Sequence, residues 1–117
     1  MMSSDLTDLV AAIRKFAHDR DWEQFNSPKN LACALSVEAA ELLEHFQWMS
    51  EEQSRQLAPE KLRAVSLEAA DVLLYLLSLA DKLGIDLIDA ARQKLTLNAE
   101  KYPVELARGT SKKYTEF

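Results

Sequence analysis

Two similar tetrapeptides carry the chemistry that this sequence offers. Glu38-Ala39-Ala40-Glu41 and Glu68-Ala69-Ala70-Asp71 each set two acids three residues apart, which puts both on one face of a helix. The alanines between them leave room for a backbone or a ligand to approach. At about 100° per residue, Glu38 falls between Leu35 and Leu42, on the line from Leu31 to Phe46, and Glu68 falls among Val65, Val72, Tyr75 and Leu79. Glu41 and Asp71 lie at the shoulders of these apolar stripes. Acids on most helices form a solvated face, but these two central glutamates sit where burial is expected. Buried carboxylates without partners are costly, and a group of them repels itself. Few basic residues share the two faces, and the nearest in phase, Lys82, lies well along its helix from the acids. A hard divalent cation with oxygen ligands answers the charge best: Mg²⁺, with Mn²⁺ as the alternative.

The histidines exclude the other common carboxylate centre. Di-iron bundles use Glu-x-x-His on two helices, whereas His18 and His45 each lack a glutamate three residues before them. His45 follows Glu41 by four and reads as core filler or an outer neighbour of the site. A Mg²⁺ cage that still needs ligands points to a substrate bearing phosphates, because Mg²⁺ recruits them and stabilises the charge they gain. No Gly-x-x-x-x-Gly-Lys-Ser/Thr loop is present, so the phosphates are not held as in P-loop enzymes. Lys94, Asn98 and Tyr102 form one stripe at four-residue spacing and are candidates to face phosphates or sugar, although the same spacing also suits a solvated face. Trp22 and Phe25 precede the second helix and Trp48 ends it. Flat side chains there can stack on a base or simply pack. Cys33 reads as a small buried filler.

Four long helices must position these groups. Ser3, Ser4 and Asp5 offer caps for the first, in which Leu6, Leu9, Val10, Ile13, Phe16 and Ala17 recur at three and four to about Arg20. A connector over 21–26 follows. Ser27-Pro28 starts the second helix, which is expected to run to about Trp48. Ser50-Glu51-Glu52-Gln53 has capping-box spacing. Pro59 opens the third helix and Gly84 closes it. Its stretch from Val72 to Ala80 is apolar nearly all round, broken only by Tyr75 and Ser78, as for a helix central to a bundle or covered by another subunit. Asp86 caps the fourth, which Pro103 stops near Tyr102. Residues 104–117 read as an extended C-terminal arm.

Composition agrees. The 117 residues fit a single domain over 1–117. Gly 2 and Pro 3 are too few to punctuate a sandwich or barrel, and the fold class is all-α, a four-helix bundle. Nineteen acids against 14 bases give a net charge of −5, a poor basis for a nucleic-acid groove or an anionic membrane surface. One cysteine excludes a disulfide framework. No apolar run reaches membrane-span length, and Met1 to Asp5 lack the basic start of a signal peptide, so a cytoplasmic location is expected.

The chain resembles the MazG-like, all-α nucleoside triphosphate pyrophosphohydrolases, and within them the dCTP pyrophosphatase branch. The resemblance rests on Arg20-Asp21-Trp22-Glu23-Gln24-Phe25, Pro28-Lys29-Asn30-Leu31, Glu38-x-x-Glu41 and Phe46-Gln47-Trp48. It continues through Glu68-x-x-Asp71-Val72-Leu73, Lys94-x-x-x-Asn98, Lys101-Tyr102-Pro103 and Lys112-Lys113-Tyr114-Thr115-Glu116. It implies Mg²⁺-dependent hydrolysis of a nucleoside triphosphate, usually a deoxynucleotide, to monophosphate and pyrophosphate. It also implies a homo-oligomer, a dimer of dimers, with sites built between subunits. Glu38, Glu41, Glu68 and Asp71 take the metal roles, with Glu38 and then Glu41 as the catalytic base. Trp22 and Trp48 match positions near the base, and Lys94, Asn98 and Tyr102 match positions facing phosphates and sugar. One departure touches the substrate: related sequences read Phe-His-x-Pro where this one has Phe25-Asn26-Ser27-Pro28. Asn26 cannot ionise and hydrogen-bonds differently, which leaves the base preference open between dCTP, dUTP and a broad range. A catalytically silent oligomer that binds metal or nucleotide is the reading outside the enzyme class.

Overall fold

The structure, a computed structural model, describes residues 4–117. Among these the secondary structure is entirely helical, and the four long helices read from the sequence are all present. The chain separates into two compact units, one over 4–85 and one over 86–117.

The first unit opens with α1 (Ser4–Asp19), whose first turn already contains Asp5. Of the proposed caps, Ser3 lies outside the described residues. A connector holds a 3-10 turn at Glu23–Phe25. It leads to α2 (Pro28–Glu44), where the Ser27 hydroxyl accepts the Asn30 N–H at 3.2 Å. The short α3 (Glu51–Ser54) begins at a full capping box between Ser50 and Gln53. The long α4 (Pro59–Leu83) stops at Gly84, which takes the left-handed φ of 67°. That conformation suits glycine because it lacks a Cβ.

α2 and α1 both pack on α4, so α4 is the central helix of this unit, as its apolar stretch predicted. The buried apolar residues, Val10 and Ala17 of α1, Leu31 of α2, and Leu77 and Ala80 of α4, come from the three helices together. The Arg14 guanidinium of α1 forks onto the Asp81 carboxylate of α4, with Nε donating to Oδ2 at 2.8 Å. This pairing holds the Asp81 carboxyl below the usual range.

α2 is shorter than expected. It ends at Glu44, and the chain turns through 45–49 with His45 and Phe46 donating to the carbonyls three residues back, Leu42 and Leu43. The capping box at Ser50 then starts α3 as a separate helix. Trp48 therefore stands on the turn, 88% exposed.

The second unit contains α5 (Leu87–Lys101), which the Asp86 carboxylate caps by accepting the Asp89 N–H at 3.1 Å. The arm expected beyond it is not simply extended. Residues Val104–Ala107 form a helical turn, α6, and Tyr114–Glu116 form a 3-10 turn. Gly109 has φ 77°, and the chain folds back so that the Tyr102 ring meets those of Tyr114 and Phe117 edge-on, with centroids 5.9 and 5.7 Å apart. Aromatic packing, which has no short period to read, gives this segment its order.

Candidate active site

α2 presents Glu38 and Glu41, and α4 presents Glu68, across the contact between the two helices. Ligand oxygens of all three lie within 4.8 Å of one another. Opposite ligands of an octahedral Mg²⁺ stand about 4.2 Å apart, so the three carboxylates are spaced to share one cation. Each side chain is half-buried, and Oε2 of Glu38 and Oε2 of Glu68 are fully shielded without a hydrogen-bond partner. Ionised carboxylates accept hydrogen bonds and coordinate metals but cannot pair with one another, so the two shielded oxygens of Glu38 and Glu68 suit a shared cation or a shared proton.

The electrostatics agree. Glu68, close enough to share a proton, raises the Glu38 carboxyl above the ordinary carboxylate range, and loss of solvent adds to the rise. Glu38 in turn raises Glu41. No lysine or arginine stands among the leading causes of either shift.

Beside this cluster lies a cavity of about 440 Å³. Its floor and walls are mostly apolar, with Leu9, Ile13 and Phe16 from α1, Leu31 from α2 and Leu74 from α4. The polar side chains in its lining are Asn26, Asp71, Tyr75 and Ser78. Trp22 stands at one side, edge-on to Phe16 with ring centroids 5.7 Å apart, and Arg20 covers that phenylalanine with its guanidinium 3.6 Å from the ring centroid.

The connector that carries Trp22 and Asn26 is tied at both ends. Asp21 adopts a left-handed φ of 52°, a conformation that Asp tolerates better than most residues. The Trp22 N–H then bonds the Ala17 carbonyl at 2.9 Å, which closes α1 in the manner of a Schellman motif. Gln24 Nε2 donates to both the Asp21 carbonyl and its carboxylate, and Asn30 Nδ2 donates to the Phe25 carbonyl at 2.9 Å.

The structure thus gathers Glu38, Glu41 and Glu68 at one point, and Trp22, Asn26 and Asp71 around one cavity. Asp71 stands outside the triad and is exposed, yet its charge contributes to the raised Glu38. Trp48 does not line the cavity. Lys94, Asn98 and Tyr102 belong to the second unit. There Lys94 is exposed, the Asn98 carbonyl accepts the Tyr102 N–H, and the Tyr102 ring belongs to the aromatic cluster of the tail.

Over residues 33–117 the chain matches the MazG-like family. It belongs to that family. The MazG-like chain is 45% identical over 113 residues to the dCTP pyrophosphatase 1 of Mus musculus and 42% identical to that of Homo sapiens. Each match takes in 95% of this chain and spans 66% of the relative's length. Among solved structures it is similar to a pyrophosphatase from Archaeoglobus fulgidus, with a TM-score of 0.81 and 38% identity over 88% of this chain and 96% of that one.

Sequence reasoning missed Tyr75 and Ser78 as cavity residues. Their signal was visible, since these two interrupt the apolar stretch of the MazG-like chain's central helix. The contribution of Ile13 and Phe16 was hidden, because a helix phase that serves a cavity wall also serves a core.

Proposed function

We propose that this protein hydrolyses a deoxynucleoside triphosphate, dCTP first among candidates, to the monophosphate and pyrophosphate, with Mg²⁺ and with Mn²⁺ as substitute. The observation that carries the reading is the pair of buried, partnerless oxygens on Glu38 and Glu68 beside an apolar cavity faced by Trp22. Similarity to dCTP pyrophosphatase 1 and to an archaeal pyrophosphatase supports the same reaction. A dUTP-type or broad pyrophosphatase keeps the chemistry and changes only the base.

Glu38, Glu41 and Glu68, with Asp71 beside them, are the residues to hold the ion. A bound divalent cation would offset their charge, lower the raised carboxyl pKa values and neutralise the phosphates. The base enters the cavity against Trp22. Glu38 takes a proton from a water whose oxygen bonds to the α-phosphorus. The bond from that phosphorus to the bridging oxygen breaks, and pyrophosphate leaves with the electron pair. Glu41 is the second candidate for the base.

Lys94, Asn98 and Tyr102 are assigned to phosphates and sugar, and Trp48 to the base, through contacts supplied between copies of the chain in a dimer of dimers. The support is the apolar surface left open on the first unit, including Val37, Leu43, Leu62 and Leu67. The reading carries a cytoplasmic location with it, and no helix among the described residues is long and apolar enough to cross a membrane.

The test is pyrophosphate release from a panel of nucleotides with Mg²⁺ and with excess chelator. Release that needs the metal and ceases in Glu38→Gln supports the reading. Activity that survives Glu38→Gln overturns the mechanism, and a protein that binds nucleotide without cleaving it is the silent oligomer.

A further inference from the structure

Among the polar side chains of the cavity lining, Asn26 is the one that offers a hydrogen-bond donor and an acceptor side by side, with neither used among the described residues. It is half-buried, and its backbone N–H is already engaged with the Glu23 carbonyl at 3.2 Å. Its side-chain amide makes no hydrogen bond among the described residues. The other polar groups of the lining offer less choice: the Tyr75 hydroxyl places donor and acceptor on a single atom, and the Trp22 indole N–H only donates. Ser78 gives its hydroxyl proton to the Leu74 carbonyl at 2.8 Å and has only lone pairs left. Asp71 is a carboxylate, an acceptor when ionised. Asn26 also sits between two sets of local hydrogen bonds. The Gln24 bonds to Asp21 lie before it, and the Ser27 cap and the Asn30 bond to Phe25 lie after it. A side chain on a hydrogen-bonded segment, in the lining of the same cavity as Trp22, is placed to read the edge of a flat ring that the tryptophan stacks.

A carboxamide reads such an edge in a particular way. It offers a donor and an acceptor side by side, and a half-turn of the amide exchanges them. Cytosine presents an acceptor at N3 next to a donor at N4, and uracil presents a donor at N3 next to an acceptor at O4. One orientation of the amide satisfies the first pair and the flipped orientation satisfies the second. Nothing on the tied backbone has to move between them.

We infer that Asn26 is the base-reading residue of this cavity and that it binds cytosine and uracil about equally, so that dCTP and dUTP are both substrates. The inference rests on the reading of the cavity as the base site of a nucleotide pyrophosphohydrolase and adds the substrate class to it. The two nucleotides differ only at positions 3 and 4 of the ring, and the group that faces those positions does not distinguish them. A site built to hydrogen-bond a substrate loses much of its binding when its own polar group is removed, by roughly 10-fold to 100-fold for one paired edge. Removing the amide therefore weakens both substrates by a similar factor and leaves their ratio standing.

The experiment compares kcat and KM for dCTP and dUTP in the intact chain and in Asn26→Leu, which keeps the branching and the number of heavy atoms and deletes both hydrogen-bonding groups. Thermal unfolding of both proteins confirms that the variant folds. The expected result is a ratio of kcat/KM values within tenfold of one for the intact chain. In the variant, KM rises about tenfold or more for both substrates. A ratio beyond tenfold in either direction overturns the inference, and so does an unchanged KM in Asn26→Leu. If neither nucleotide is cleaved, the hydrolase reading is what fails. Calorimetric titration of dCMP and dUMP then decides on Asn26 alone: equal affinities that weaken together in Asn26→Leu sustain it, and binding of one base only overturns it.

Discussion

Glu38 and Glu68 share a problem that neither can solve for the other. Each has one oxygen shielded and unpaired, and the carboxyls of Glu38 and Glu41 are raised. A group whose folded pKa is raised binds protons more tightly in the native state, so stability falls as pH rises from the unfolded carboxylate value through the folded one. The metal-free protein is therefore expected to melt at a higher temperature near pH 5 than near pH 7. Asp81 works in the opposite sense. Its lowered carboxyl contributes stability that is present above its unfolded value and lost only as pH falls through the lower folded one, so it does not mask the effect in this window. Millimolar Mg²⁺ at pH 7 should recover the loss, and a melting curve unmoved by both acid and Mg²⁺ would show that the cluster binds no cation. Glu38→Gln is expected to abolish pyrophosphate release while raising the melting temperature of the metal-free protein, because it removes one member of a repelling group. These residues were legible in the sequence because their phase contradicted their chemistry. Asp71 was less legible, since a shoulder position in phase fits a ligand, a cavity wall or open solvent alike.

The elements were legible wherever a residue does one local job. Ser27, Pro28, the Ser50–Gln53 box, Pro59, Gly84 and Asp86 each mark a boundary where the structure places it. The end of α2 was not, because nothing in Leu42 to Trp48 forbids helix. The fold-back of the tail was hidden for a similar reason, being fixed by ring contacts among Tyr102, Tyr114 and Phe117. Gly84 supplies a direct check on the boundaries. A Cβ there would meet no neighbour, so Gly84→Ala tests the left-handed φ of 67° alone. It should cost about 1–2 kcal/mol in urea unfolding. Leu77 of α4, 2% exposed, should cost about 2–5 kcal/mol as Leu77→Ala, a larger loss because it removes packing rather than straining one dihedral.

At the scale of the molecule, the described residues bury few side chains completely and leave many large apolar ones open, on α2 and α4 as well as on α5. Extensive exposed apolar surface marks a contact to be made. Sedimentation is expected to give a mass that is a multiple of 13.2 kDa, and Leu67→Glu on the outer face of α4 should lower that mass and pyrophosphate release together. A monomer with full activity would separate the site from assembly. The sequence hinted at this surface through a central helix apolar nearly all round, but periodicity alone cannot say whether the second side meets the same chain or another. The two tryptophans divide the same question optically. Trp22 is partly screened by Phe16 and faces the cavity, whereas Trp48 stands almost bare on its turn. Iodide should quench the second indole far more readily than the first. A nucleotide that dims the protected emission would report entry into the cavity, and a rise in concentration that blue-shifts the exposed one in the absence of nucleotide would report association, two signals from an unlabelled protein.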